Sequence, residues 1–243
     1  MNPFTIIFYE PIFNLLVYLY NIVPGNDLGV AIILLTLIVR LALYLPSKKS
    51  ITAQKDLATL QPEIDKLKER YKDDKEKMGP ELMALYKKRK INPLSSCLPT
   101  LIQLPFLFAI YRVFWNGLSD ENAMDALYTF VANPGALNTM AFGFFDLSEK
   151  SIIVALLAGA AQFWQSKMMV AKKSAGGGAA AAMGQQMVYI MPVITVVIGS
   201  QFKAGLTFYW LLTTLFSVGQ QYLVLGSKKK KDAKEAVEVI DKK

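Results

Sequence analysis

Histidine is missing from this chain, and cysteine occurs once, at Cys97. Those two absences remove imidazole acid–base chemistry, metal sites of ordinary ligand type and any internal disulfide. No cofactor, no metal and no enzymatic chemistry is therefore expected. Lysine and arginine are absent from residues 1–27, so the N-terminal stretch has no basic n-region. It also has no A-x-A-like cleavage site, and Glu10-Pro11 interrupts it, which argues against a secretory signal. Carboxylates are missing within two helical turns of Arg40, although Arg40 stands inside the apolar run Leu28–Leu45. A guanidinium keeps its proton, and a charge near mid-bilayer costs about 3 kcal/mol on insertion scales. Something must hydrate or pair Arg40, and an intramembrane ionisable residue points to a functional cavity.

What is present is apolar surface: 53% of the residues are hydrophobic, 12% are aromatic, and mean hydropathy is +0.31. Five segments approach the about 20 residues needed to cross a bilayer: 28–46, 98–116, 150–169, 187–202 and 205–225. The last two are joined through Lys203-Ala204-Gly205 and form a tight antiparallel hairpin. The net charge of +8 is uneven, which reports orientation; DNA is not an expected partner. Residues 47–97 hold thirteen Lys and Arg, Lys167, Lys172 and Lys173 flank the 170–186 loop, and seven more follow from Lys228. The opposite face has only Lys150 and Lys203 between spans. The expected architecture is thus an all-α membrane protein with five transmembrane helices, N-terminus out and C-terminus in.

Outside the spans, residues 1–27 read as an outer-face interfacial helix. Ile12, Leu15, Leu16 and Leu19 follow helical spacing, with Asn14, Tyr18 and Asn21 towards the other side and Pro24-Gly25 turning the chain. A tilted sixth span is the alternative. Residues 47–97 read as a cytoplasmic coiled helical hairpin. Leu57, Leu60, Ile64, Leu67 and Tyr71 make the seam, and Met78, Leu82 and Leu85 lie on the return helix. Asp73 with Glu76 fits an N-cap, while Gly79-Pro80 either kinks that helix or starts it. The hairpin is a solvated spacer or a mobile arm that contacts other proteins. Residues 117–149 form an outer loop. Ser174–Gly178 within the 170–186 loop reads as a flexible linker, and 226–243 as a basic cytoplasmic tail. The lysines at 228–231 suit a stop-transfer signal, anionic lipid or ribosomal RNA.

Polar residues recur inside the spans. Thr36 and Arg40 share one face of the first. The second contributes Gln103 between Pro99 and Pro105, the third Gln162 and Gln165, and the fifth Thr207, Tyr209, Trp210, Thr213 and Thr214. Any one of them is explained by hydrogen bonding between helices. Their concentration around an unpaired arginine suggests a wet recess. Arg112, by contrast, sits near the outer end of its span, where it can snorkel to the surface. Cys97 reads as a packing residue at a membrane boundary, and Asn92-Pro93 as a break between hairpin and span.

Several motifs, in order over roughly residues 28–225, resemble the YidC-type membrane protein insertases of the YidC/Oxa/Albino family. They are Thr36–Arg40, Leu60-Gln61-Pro62 at the start of the coiled helix, Met83–Lys87, Asn92–Leu94, Cys97 with Pro99, Leu101–Pro105, Met191–Val193, and Gly205-Leu206 with Tyr209-Trp210. The resemblance implies a hydrophilic groove open to cytoplasm and lipid, with Arg40, Thr36, Gln103, Tyr209 and Trp210 in or beside it. It also implies an insertase and chaperone of the bacterial cytoplasmic (inner) membrane. Its partners would be nascent membrane proteins, membrane lipids, and the ribosome or Sec translocon. A small-solute or anion transporter using Arg40 is an alternative, although no internal repeat is visible. A non-inserting assembly chaperone is another.

Overall fold

A computed structural model of the chain describes residues 2–72, 74–92, 98–117, 121–169 and 179–241. Cys97, Pro93 and the glycine-rich segment Ser174–Gly178 lie outside the described residues, as do the side chains of the lysines at 228–231.

The chain is helical almost throughout. A π-helical turn, Thr5–Tyr9, runs without a break into α1 (Glu10–Ile22), and Pro11, which has no N–H to give the preceding turn, follows directly after that π-helical turn. Gly25 (φ +77°) and Asn26 (φ +51°) then reverse the chain. The Asp27 carboxylate caps α2 (Leu28–Ala42) by accepting from Val30 N at 3.0 Å. The apolar run expected as one span through residue 46 is broken. It ends at Leu43, and α3 (Tyr44–Arg70) leaves at 69°. Pro46 supplies the cause, because it offers no N–H to the Ala42 carbonyl and its ring crowds that carbonyl.

A turn at Tyr71–Asp74 returns the chain into α4 (Lys75–Lys88). Leu60 and Ile64 of the seam are buried, and Leu57, Leu67, Tyr71, Met78, Leu82 and Leu85 are half-buried; α3 packs against α4 and also against the last helix, Ala204–Asp241. Arg89 grips Glu63 through two guanidinium nitrogens across it. Two details differ from expectation. The N-cap is Asp74, accepting from Lys77 N, one position after the expected residue; Asp73 itself lies outside the described residues. Pro62 lies in the middle of α3 rather than at its start. Of the two readings of Gly79-Pro80, the helix start is excluded: α4 begins five residues before Pro80.

Helix α5 (Leu98–Arg112) continues as a π-helical turn, Val113–Gly117. The loop between α5 and α6 holds a 3-10 turn, Glu121–Ala126, and a two-stranded ribbon, β1 (Met140–Ala141) antiparallel to β2 (Phe145–Asp146). Helices α6 (Ile152–Met169), α7 (Ala179–Gly199) and α8 (Ala204–Asp241) complete the fold. Helix α8 does not stop where its apolar part ends but carries on through the basic tail.

Thr5–Ile22 and Ile152–Met169 are long and apolar enough to cross a membrane, and the bent pair α2–α3 makes a third candidate. Val188–Gly199 is a shorter apolar helix. The first five turns of α8 carry Thr207, Thr213, Thr214, Ser217, Gln220 and Gln221, which dilute its hydropathy.

The main core joins α1, α2, α5 and α8 through Phe13, Leu16, Ile32, Leu35, Ile110 and Tyr209. A smaller cluster, Val154, Ala158, Ala161 and Leu211, packs α6 on α8. The loop that carries β1 and β2 closes one end. Asn14, only 3% exposed, donates to Ala126 O and accepts from Tyr128 N. Asn21 donates to Ala132 O, and the Tyr20 hydroxyl accepts from Asn138 N. Two polar residues of α1 thus meet the loop, while Tyr18 is exposed. Backbone bonds from Ala204 N to Glu149 O and from Gly205 N to Leu147 O tie the α7–α8 turn to the same loop.

Candidate functional site: a polar cavity at the α2–α3 bend

A cavity of about 320 Å³ lies at the bend. Helix α2 supplies Arg40; α3 supplies Pro46, Ser47, Ile51 and Gln54; α5 supplies Gln103, and α6 supplies Gln162 and Gln165. Helix α8 lines it with Tyr209, Trp210, Thr213, Thr214, Ser217 and Gln221. Arg40 sits in the last turn of α2, where the negative end of the helix dipole favours a cation. Among the described residues it makes no hydrogen bond or ion pair, and its Nε is buried without a partner. Tyr209, 1% exposed, lines the same cavity from α8. Its hydroxyl accepts from Gln103 Nε2 at 3.0 Å, joining α5 to α8.

The residues expected in the groove separate into two groups. Arg40, Gln103, Tyr209 and Trp210 converge on the cavity, together with Gln162, Gln165, Thr213 and Thr214. Thr36 is not among the lining residues. It is fully buried one turn from Arg40, and its hydroxyl donates to Ile32 O at 2.7 Å. Thr207 likewise bonds its hydroxyl to Gly199 O at 2.8 Å and closes the α7–α8 turn. Ser217, Gln221, Ser47 and Gln54 were missed by sequence reading. The signal for the first two was the stripe Trp210, Thr213/Thr214, Ser217, Gln221, which steps by three or four residues along one face of α8.

The bend itself is held by Gln220. Its Nε2 donates to Tyr44 O at 3.0 Å, and its Oε1 accepts from the Ser47 hydroxyl at 2.9 Å. At the opposite end, Arg112 is exposed, donates to Thr5 Oγ1 at 2.9 Å and lies 4.8 Å over the Tyr9 ring. Among the described residues no group of three or more His, Cys, Asp or Glu could hold a metal ion.

These features define a helical membrane protein with a polar cavity in which Arg40 is the one charged side chain among the described lining residues. The family model described as 60Kd inner membrane protein matches residues 18–232. Relatives named membrane protein insertase YidC, from Rickettsia africae (strain ESF-5) and Rickettsia bellii (strain OSU 85-389), are 34% and 33% identical over 216 residues, 88% of this chain. The chain spans 38% of the length of these relatives. It belongs to the 60Kd inner membrane protein family, and is a multi-pass protein of the bacterial inner membrane.

Proposed function

We propose that the chain inserts nascent membrane proteins and helps them fold. The observation that carries this reading is Arg40, unpaired in a cavity lined by amides and hydroxyls, and the names of the relatives support it. In this reading five spans cross the membrane with the N-terminus outside, the hairpin α3–α4 and the tail lie in the cytoplasm, and α1 lies on the outer surface. The positive charge of residues 47–97 and of the tail supports that orientation. The cavity then faces the hairpin side, and the outer loop seals the far end. Thr36 acts from behind Arg40, packing the helix that carries it.

A wet cavity halfway through the membrane shortens the dry path for a short hydrophilic segment of the client. Arg40 offers an acidic segment an attraction of about 4 kcal/mol at 4 Å and an effective dielectric of 20. The client's apolar helix then passes into lipid between spans. Its partitioning drives the reaction at about 25 cal/mol per Å² of apolar area buried. No nucleotide or covalent intermediate is involved. The hairpin and basic tail recruit the client's source, the ribosome or the Sec translocon.

The test is insertion of a single-span client with an acidic translocated segment by the reconstituted chain. Arg40→Ala slows it and Arg40→Glu slows it further. Normal rates with both variants would remove Arg40 from the mechanism.

A further inference from the structure

The cavity holds more unsatisfied chemistry than one arginine. Three buried side-chain atoms among the described residues have no hydrogen-bond partner, and two of them, Arg40 Nε and Gln221 Oε1, belong to lining residues. Gln221 is only 3% exposed, and an unpaired buried polar atom costs about 1–3 kcal/mol. Gln162 and Gln165 also make no side-chain hydrogen bond among the described residues. The hydroxyls of Thr213 and Thr214 both donate to Trp210 O, at 2.8 and 2.9 Å, and Ser217 donates to Thr213 O at 2.8 Å. Their protons are spent on α8 itself, so towards the cavity they offer lone pairs only.

The inventory decides between ligand classes. A site for an anion alone needs donors, and the hydroxyl lone pairs and amide oxygens would oppose it. The cavity instead offers donors from Arg40 and the glutamine NH₂ groups, and acceptors from the glutamine carbonyls and the hydroxyls. Among the described residues its lining contains no carboxylate. A peptide group presents one donor and one acceptor, which this lining matches whatever the side chain. Resting on the insertase reading, we infer that the cavity binds the main chain of the client's translocating segment through Gln162, Gln165 and Gln221, with Arg40 adding affinity when that segment is acidic.

The match also sets what is let go. A helix satisfies its own backbone groups, so a client stretch that becomes helical withdraws its peptide groups from the glutamines and is free to leave for lipid. The cavity retains extended polar chain and releases helix.

The test uses the reconstituted full chain and a single-span client with a neutral, serine- and glycine-rich translocated segment. Consecutive peptide bonds of that segment are replaced by esters, which lack the N–H donor. Esters also make the segment less polar, so unassisted crossing would become faster. Main-chain binding instead slows insertion by about fivefold for each hydrogen bond lost. The variant Gln162→Leu/Gln165→Leu/Gln221→Leu slows the all-amide client and no longer distinguishes amide from ester. Because the ester arm uses the unmodified protein, it holds even if the triple variant fails to fold. Insertion by the unmodified chain that is unaffected or accelerated by esters overturns this inference alone. Failure of the unmodified chain to insert even the all-amide client overturns the insertase reading and the inference with it.

Discussion

Removing the amide of Gln220 should loosen the bend that forms one wall of the cavity. One side chain on α8 holds both Tyr44 and Ser47 in the first turn of α3, through contacts of 3.0 and 2.9 Å. Gln220→Leu preserves volume and removes both bonds. At about 1 kcal/mol each the loss is about 2 kcal/mol. For a chain of this size that corresponds to a fall in Tm of about 4–8 °C. Ser47→Ala removes one bond and costs about 1 kcal/mol. Adding it to Gln220→Leu costs almost nothing more, because its partner is already gone, which gives a coupling of about 1 kcal/mol. Thermal unfolding in detergent measures the three variants. Spin labels at the exposed positions Lys66 on α3 and Tyr222 on α8 report the angle, and Gln220→Leu should broaden their distance distribution. An unchanged Tm with an unchanged distribution would refute the reasoning and leave Pro46 as the sole determinant of the bend.

Asp27 caps α2 and also accepts from Phe142 N of the outer loop; Asp27→Ala should cost about 2 kcal/mol by thermal unfolding, with Asn restoring most of the cap. A Cβ on Gly29 would lie 2.6 Å from the Cβ of Ala141, so Gly29→Val should destabilise by about 1–3 kcal/mol in the same assay. The side-chain and backbone hydrogen bonds from Ser148, with a smaller contribution from Thr139, hold the Asp146 carboxyl below its usual range. A folded pKa below the unfolded one stabilises the loop above the ordinary carboxylate pKa, and that support is lost as pH falls through the lowered value. An NMR titration of Asp146 should show the depressed midpoint, and Ser148→Ala should move it back up.

Membrane class and the candidate cavity residues were legible in the sequence because polar groups in apolar runs are costly to leave facing lipid. Arg40, Gln103, Tyr209 and Trp210 come from three separate helices, yet each had to find a wet or polar neighbour, and the same recess serves them all. The hairpin seam was legible for a similar reason, since Leu60 and Ile64 repeat on one face and bury there. Thr36 shows the limit of such reasoning. It shares the face of Arg40, but a hydroxyl can bond the carbonyl one turn back, and only packing decides between that bond and the cavity. The break at Leu43 was latent in Pro46, yet its 69° angle and the grip of Gln220 depend on where α8 crosses. Likewise, Asn14 and Asn21 were visible as a polar side of α1, while their hydrogen bonds to Ala126, Tyr128 and Ala132 required the loop between α5 and α6 to fold back over them. Local chemistry names the groups that need partners; distances between helices decide which partner each one gets.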